Sequence, residues 1–140
     1  MNNVLIIYTD IMARGEYPTY IKRYFKEQNV VTYKEDGDNE ILKQYTVDFI
    51  SFSYYMSIVT TTNNNWKKTS RNLVIRILLN QMYVRYQLPI FIAENGLGAH
   101  DETEEDDAIH DAYCINYLKQ YAEQMKEAIL DDVEMIGYIM

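Results

Sequence analysis

From Val47 onward, strand-like and helix-like hydrophobic patterns alternate along the chain. The segment Val47–Tyr55 is rich in aromatic and β-branched residues, which is typical of a strand. Ile90–Ala93 is short and wholly apolar, a pattern that indicates a parallel strand buried on both faces. Val133–Met140 again has a strand-like composition. These patterns predict three strands.

Apolar residues recur at helical spacing in both segments between the predicted strands. In the first segment they are Leu73, Ile77, Leu78 and Met82, and in the second Ala108, Ala112, Ile115, Leu118, Ala122, Met125 and Ile129. The order strand, helix, strand, helix, strand predicts an α/β fold of consecutive βαβ units with a parallel sheet. Four residues are expected near its buried centre: Phe49, Ile50, Phe91 and Ile92.

The first third of the chain carries helix signals. Pro18 suits the first turn of a helix that continues to Phe25. The segment Asp36-Gly37-Asp38 marks a turn, after which Asp38 can cap a short helix through Leu42. Two helices are therefore predicted before the first strand.

A sheet of three parallel strands has two open edges, and native proteins usually protect such edges. The last predicted strand also reaches Met140 with no helix after it. We therefore expect residues 1–140 to form a single segment that is part of something larger.

Composition excludes several classes of protein. With 140 residues, of which 48% are hydrophobic and 24% charged, the chain is predicted to be globular with a real core. Its formal net charge of −8 argues against binding to a nucleic-acid backbone. No apolar run approaches the length of a membrane span, and no basic leader begins the chain. The single cysteine, Cys114, cannot form an intramolecular disulfide, so we expect a cytoplasmic protein.

Candidate functional residues follow the predicted strands, because parallel α/β folds carry their sites at the carboxyl ends of strands. The first strand ends in Ser53, Tyr54 and Tyr55, and Glu94 and Asn95 follow the second. Glu94 passes directly from an apolar interior to a turn. From spacing alone it is either a catalytic carboxylate or a structural one bonded to a neighbouring Arg or Tyr.

No metal or cofactor site is predicted. His100 and His110 flank an acidic loop, Asp101–Asp107, without a His pair at helical spacing or a glycine at the sixth position of the loop. We interpret the loop as solvated charge and Cys114 as a small packed hydrophobe. No glycine-rich phosphate-binding pattern occurs in the sequence.

One motif is far more specific than these patterns. The segment Ile92–Gly98, Ile-Ala-Glu-Asn-Gly-Leu-Gly, resembles the nucleophile motif of family 1 glycoside hydrolases, which are retaining β-glycosidases on a (β/α)8 barrel. Four other segments resemble the same family in order: Arg14–Phe25, Thr46–Ser57, Asp111–Ile129 and Val133–Tyr138. The resemblance implies a partial (β/α)8 TIM barrel: about three consecutive parallel strands, family strands six to eight, with flanking helices.

The resemblance also implies roles for individual residues. Glu94 matches the nucleophile, and Tyr55 matches the tyrosine that hydrogen-bonds and orients it. Ser53 stands where many family members have Asn, and with Met56-Ser57 after it this form resembles the bacterial 6-phospho-β-glucosidases. We expect Ser53 and Asn95 to bind substrate.

The resemblance covers only the C-terminal part of the family barrel. The Asn-Glu-Pro motif that supplies the acid/base glutamate is absent, as is the Trp-containing stretch after Gly137-Tyr138 that carries sugar and phosphate contacts. Between Trp66 and Arg76, the proline and glycine of the corresponding family stretch are also missing. No residue of the chain matches the second catalytic carboxyl group.

Two functions are therefore predicted. In the first, the chain is part of a retaining 6-phospho-β-glucosidase. That enzyme hydrolyses β-linked 6-phosphoglucosides through a covalent glycosyl-enzyme on Glu94 without a cofactor, and we expect the isolated chain to be inactive. The alternative is a non-catalytic truncated product that folds as a self-associating partial barrel. We expect the chain to form a homo-oligomer and to bind neither nucleic acid nor a membrane.

Overall fold

The structure is a computed structural model that describes residues 6–55, 73–98, 107, 109 and 111–140. In chain order its elements are α1 (Ile7–Arg14), α2 (Thr19–Glu27), α3 (Asp38–Gln44), β1 (Ile50–Ser53), α4 (Leu73–Tyr86), β2 (Ile90–Glu94), α5 (Ala112–Leu130) and β3 (Met135–Tyr138). The chain divides into two compact units, Met1–Ile50 and Ser51–Met140. None of the described helices combines the length and the hydropathy that a membrane span requires.

The first unit contains the helices α1, α2 and α3. Both predicted helices are present, but Pro18 lies one residue before α2 instead of in its first turn, and Asp38 is the first residue of α3. The Asp38 carboxylate does not cap its own helix but accepts a hydrogen bond from the backbone N–H of Glu35 at 2.9 Å. Asp10 of α1 is fully buried, and its Oδ2 accepts a hydrogen bond from the Tyr20 hydroxyl of α2 at 2.6 Å. This bond holds α1 against α2, since a buried carboxylate is costly without partners.

The turn after α1 requires glycine at position 15. Gly15 has φ +66° and ψ +20°, and its N–H donates to the Ile11 carbonyl at 2.8 Å. A Cβ atom at this position would lie 2.7 Å from both the Leu42 carbonyl oxygen and the Lys43 Cα. The end of α1 therefore approaches the backbone of α3 more closely than any side chain permits.

The second unit is built on the sheet, in which the strand order is β1-β2-β3. The three strands are parallel and flanked by helices, which confirms the predicted fold class. Phe91 of β2 pairs with Gly137 of β3, and Ile92 pairs with Tyr138, after a register shift next to Ile90. β1 and β3 are shorter than their strand-like sequences, whereas β2 extends its predicted range by one residue.

Gly137 allows an aromatic ring to lie across the β2–β3 pair. A Cβ atom at position 137 would overlap the Phe91 ring, so β3 presents bare backbone at this point. Phe91 itself is half-buried, not enclosed as its wholly apolar segment predicted.

The buried apolar side chains of the second unit come mainly from α4, α5 and β2. They include Ile75, Leu79, Met82, Ile90, Ile92, Tyr121, Met125 and Ala128. In each helix they are spaced by three or four residues, which gives one buried stripe. The predicted stripes were partly wrong, because Ile77, Ile115 and Ile129 are 52%, 64% and 53% exposed. Apolar residues occupy several sides of α4, so spacing alone did not identify its buried face.

Of the residues expected near the buried centre, some are buried and others are exposed. Ile50 is 4% exposed and Ile92 is fully buried, as predicted, whereas Phe49 is 47% exposed. Phe49 lies in a bend just before β1, whereas Ile50 is the first residue of the strand. Phe49 therefore stands outside the regular strand whose pattern predicted its burial.

An ion pair joins α4 to the end of α5. Arg76 donates to both carboxylate oxygens of Asp131 at 2.7 Å, and Nδ2 of Asn80 adds a hydrogen bond to the same carboxylate at 2.9 Å. Asp131 follows α5 at its C-terminal end, where the helix dipole disfavours a negative charge. The Arg76 guanidinium offsets that effect and, with Asn80, lowers the pKa of Asp131 to about 2.

We expect Gly15→Ala to lower the free energy of unfolding more than Gly37→Ala does. Both glycines have positive φ, +66° and +99°, and a non-glycine residue in the left-handed region costs about 1–2 kcal/mol. Only position 15 adds a collision, because among the described residues no atom lies within 4 Å of a Cβ at Gly37. Urea unfolding followed by circular dichroism compares the variants. Equal losses would contradict the close approach of α1 and α3.

Candidate active site

Strands β1 and β2 end side by side. The backbone N–H of Tyr54 donates to the Glu94 carbonyl at 2.8 Å, which continues the pairing of these strands past the last residue of β1. Tyr55 and Glu94 therefore lie at neighbouring strand ends, and the contact that the sequence predicts between their side chains is present.

Two hydroxyl groups donate hydrogen bonds to one carboxylate oxygen of Glu94. The Tyr55 hydroxyl lies 2.6 Å from Oε2, and Ser53 Oγ lies 3.0 Å from the same atom. Ser53 and Tyr55 are two residues apart, so an extended chain directs both side chains to the same side. Within the described part of the chain, Oε1 of Glu94 accepts no hydrogen bond. The contact from Ser53 was not predicted from the sequence, although this two-residue spacing could have indicated it.

These hydrogen bonds favour the ionised form of Glu94. Donation from Tyr55, and to a smaller extent from Ser53, lowers the pKa of Glu94 below its usual value of 4.5, against a smaller opposing effect of desolvation. The hydrogen bond to the carboxylate raises the pKa of the Tyr55 hydroxyl above 10.0. At neutral pH the pair is therefore a carboxylate and a neutral phenol. Both side chains are exposed to solvent.

Asn95 follows Glu94 directly but is buried, with 5% of its surface exposed. Its Nδ2 donates to the Tyr54 carbonyl and, at 3.1 Å, to the Tyr117 hydroxyl, while its Oδ1 accepts from the Tyr138 hydroxyl at 2.9 Å. One amide thus contacts the end of β1, helix α5 and strand β3. The sequence predicted that Asn95 binds substrate, but in the structure protein groups occupy both ends of its amide.

Two tyrosines of α5 for which the sequence predicted no role pack together next to this amide. Tyr117 and Tyr121 lie one turn apart on α5 with ring centroids 4.2 Å apart, and the Tyr54 ring lies 5.9 Å from that of Tyr121. Burial is the main cause that raises the pKa of Tyr121 and of Tyr138, so both hydroxyl groups are neutral at physiological pH. The four-residue spacing of Tyr117 and Tyr121 could have indicated a shared helix face.

The structure describes no metal centre in the ranges that it covers. Among those residues, no group of three or more His, Cys, Asp or Glu side chains could hold a metal ion. His100, His110 and most of the acidic loop lie outside the described residues, as do Met56, Ser57 and Trp66. The absence of a metal or cofactor site stays a prediction from the sequence.

A family model and several known proteins resemble this chain over nearly all of its length. Residues 2–72 and 58–140 match the family model for "Glycosyl hydrolase family 1". The chain is similar to the aryl-phospho-beta-D-glucosidase BglH of Bacillus subtilis, with 44% identity over 95% of this chain and 33% of that protein. It is also similar to the 6-phospho-beta-glucosidase AscB of Escherichia coli, with 41% identity over 95% of this chain and 32% of that protein. The chain spans about a third of the length of these curated relatives.

Solved structures of the same fold cover most of the chain. The family 1 β-glucosidase from Thermotoga maritima matches with a TM-score of 0.72 and 23% identity, over 94% of this chain and 33% of that one. The β-glucosidase of the same organism in complex with castanospermine matches with a TM-score of 0.68 and 24% identity, over 96% and 33%. At this identity the likeness shows the fold alone, and it confirms that the three parallel strands match part of a TIM barrel.

Proposed function

Because the chain belongs to glycosyl hydrolase family 1, we propose that it forms the nucleophile side of the active site of a retaining 6-phospho-β-glucosidase. In this proposal Glu94 is the nucleophile, and Tyr55 and Ser53 hold its carboxylate. The two relatives named as a phospho-β-glucosidase and a 6-phospho-β-glucosidase support the substrate class, a β-linked 6-phosphoglucoside.

The observation that carries the proposal is the convergence of two donors on Oε2 of Glu94. A carboxylate nucleophile must be ionised, and both hydrogen bonds favour the ionised form. Because Tyr55 and Ser53 bind the same oxygen, they also orient the group and leave Oε1 available to form a bond. The position at a strand end agrees with the location of chemistry in TIM barrels.

In the first step, Oε1 of Glu94 forms a bond to the anomeric carbon while the bond from that carbon to the leaving oxygen breaks. The leaving oxygen takes a proton from a carboxylic acid. The negative charge of Glu94 is consumed as the ester forms, and Oε2 becomes the ester carbonyl oxygen. The Tyr55 and Ser53 hydroxyl groups then hydrogen-bond to a neutral acceptor.

In the second step, a water molecule attacks the anomeric carbon and transfers a proton to the same second carboxyl group. The bond from the sugar to Oε1 breaks, and Glu94 departs as a carboxylate that Tyr55 and Ser53 again stabilise. Retaining hydrolysis places the two carboxyl groups about 5–5.5 Å apart. Since no segment of this sequence matches the Asn-Glu-Pro motif, we propose that the chain alone does not hydrolyse a substrate whose leaving oxygen must be protonated.

The proposed chemistry uses no cofactor, because two carboxyl groups carry both the nucleophilic and the proton-transfer roles. Direct contact of Ser53 with the sugar remains part of the proposal, since its hydroxyl is exposed beside Glu94. The cytoplasmic location stays a prediction from the sequence.

The second candidate function is that of a non-catalytic chain that associates with itself. In the described sheet β3 has β2 as its one strand neighbour, and Ile136, Ile139 and Met140 are 52%, 52% and 75% exposed. Apolar residues along an open strand edge favour pairing with a second copy of the chain. This candidate does not require a second carboxyl group.

We expect sedimentation equilibrium to show a dimer or a larger homo-oligomer at micromolar concentration. Ile136→Lys places a charge on the open strand and should shift the chain toward monomer. Ile115→Lys is the matched control, because Ile115 is similarly exposed, at 64%, but lies on α5. A compact monomer at high concentration would contradict self-association.

We expect no measurable turnover of methyl 6-phospho-β-glucoside, whose alkoxide leaving group must be protonated, by the chain alone. General acid–base catalysis contributes ~10²–10⁴-fold, and no residue here matches the group that supplies it. Release of glucose 6-phosphate is followed by a coupled dehydrogenase assay and compared with Glu94→Gln. Turnover above that variant would show that the chain contains an acid/base group.

A covalent label tests Glu94 independently of the acid. A 2-deoxy-2-fluoro-6-phospho-β-glucoside with a dinitrophenolate leaving group requires no proton for departure, and the fluorine slows hydrolysis of the ester. We expect mass spectrometry to find one sugar on the peptide that contains Glu94, and none on Glu94→Gln. Glu123→Gln, which changes an exposed glutamate on α5, should be labelled like the unaltered chain. A label elsewhere, or none on Glu94, would refute its role as nucleophile.

A further inference from the structure

We propose that Asn95 is a positioning residue whose buried amide holds the ends of β1 and β2 in the register that brings Tyr55 onto Glu94. The inference rests on the proposed function, because it concerns the group that we propose as nucleophile. It assigns Asn95 a role through the protein backbone, in place of the contact with substrate that the sequence predicts.

The orientation of the Asn95 amide is unambiguous. A backbone carbonyl can only accept, so the Nδ2 group must face the Tyr54 carbonyl. Oδ1 therefore faces the Tyr138 hydroxyl, which donates to it at 2.9 Å. The second Nδ2 proton goes to the Tyr117 hydroxyl at 3.1 Å, and that hydroxyl lies 3.3 Å from the Gly96 carbonyl, to which it donates.

This arrangement satisfies both donors of the amide and occupies its acceptor, which accounts for its burial. An amide that is 5% exposed would be costly if any of these groups lacked a partner. Both Nδ2 protons are therefore already donated to protein groups. Asn95 is thus built into the protein interior, whereas the adjacent Glu94 is exposed.

The amide extends the pairing of β1 and β2 beyond the backbone. The Tyr54 N–H is bonded to the Glu94 carbonyl, and the Tyr54 carbonyl is bonded to the Asn95 side chain. Tyr54 is therefore held through both of its backbone polar groups by two consecutive residues of the neighbouring strand end. Since Tyr55 follows Tyr54 directly, these two bonds set where its side chain leaves β1 relative to Glu94.

Bonds to two further elements hold the amide itself. Tyr138 lies on β3 and Tyr117 lies on α5, so Asn95 is held from both sides of β2 and from a helix. Loss of the amide would leave the Tyr54 carbonyl without this partner and free the turn after Glu94 to shift. A shift of about 1 Å is enough to weaken a short hydrogen bond such as that from Tyr55.

The test measures the pKa of Glu94 by carbon-13 NMR of the chain labelled at glutamate carboxyl carbons. The Glu94 signal is identified as the one absent from Glu94→Gln. We expect Asn95→Ala to raise the pKa of Glu94 by most of the rise that Tyr55→Phe produces, because both weaken the same hydrogen bond. In the Tyr55→Phe background, Asn95→Ala should add little, since that bond is already absent.

The matched control is Asn80→Ala. The Asn80 amide is also partly buried and donates to a backbone carbonyl, that of Arg76 at 3.0 Å, and to Asp131, but it lies on α4 away from these strand ends. Asn80→Ala should lower stability without moving the pKa of Glu94. Asn95→Ser, which keeps a short donor, should give a smaller rise than Asn95→Ala.

The inference is overturned if a folded Asn95→Ala or Asn95→Ser chain keeps the pKa of Glu94 unchanged, or if the rise adds fully to that of Tyr55→Phe. Unfolding of both variants would also overturn it, in favour of a role in stability alone. The proposed function fails separately, if the fluorinated glycoside does not label Glu94 in the unaltered chain. The two failures are therefore distinguishable.

Discussion

The hydrogen bond from the Tyr54 N–H to the Glu94 carbonyl is the constraint on which the candidate site depends. Strand pairing permits only discrete registers, and a slip by one residue turns every side chain to the other face. In the observed register Ser53 and Tyr55 lie on the side of β1 from which their hydroxyl groups reach Oε2 of Glu94. The geometry of the pair thus follows from backbone pairing between segments forty residues apart.

Two consecutive residues at the end of β2 lie in opposite environments, and a reactive site needs both: a buried side chain that fixes the backbone and an exposed side chain that can react. Asn95 is buried, and protein groups satisfy its amide completely. Glu94 is exposed, so its Oε1, which accepts no hydrogen bond from the described residues, can be hydrated and costs little to leave unbonded. The carboxylate keeps one oxygen fixed by Tyr55 and Ser53 and the other available, which suits a nucleophile. The absence of a matching second carboxyl group explains why the same chain is proposed to be inactive alone.

The sequence predicted most of this fold because its strongest signals are local. The wholly apolar run before Glu94 predicted β2, and Pro18 and Asp38 marked the starts of α2 and α3. The buried helix faces were less predictable, since α4 carries apolar residues on several sides and its exposed Ile77 resembles its buried neighbours. For the site, the motif around Glu94 predicted the contact from Tyr55.

Contacts that depend on distant packing could not be read from local spacing. The partners of Asn95 come from β1, α5 and β3, and nothing near Asn95 in the sequence indicates that Tyr117 and Tyr138 reach it. Ser53 is an intermediate case, because its two-residue spacing from Tyr55 indicates a shared side but not a shared acceptor. Local spacing thus predicts which side chains of one element share a side. Identifying the groups that they contact on other elements required the three-dimensional structure.

The hydrogen bonds from Tyr55 and Ser53 to Glu94 are tested most directly by the pKa of Glu94 in the unaltered chain, in Ser53→Ala and in Tyr55→Phe, measured by carboxyl carbon-13 NMR. Hydrogen bonds to the ionised form lower a carboxyl pKa, so their removal must raise it. We expect a pKa below 4.5 in the unaltered chain, a rise in Ser53→Ala and a larger rise in Tyr55→Phe, because Tyr55 is the stronger cause. The same pKa in all three proteins would contradict this expectation.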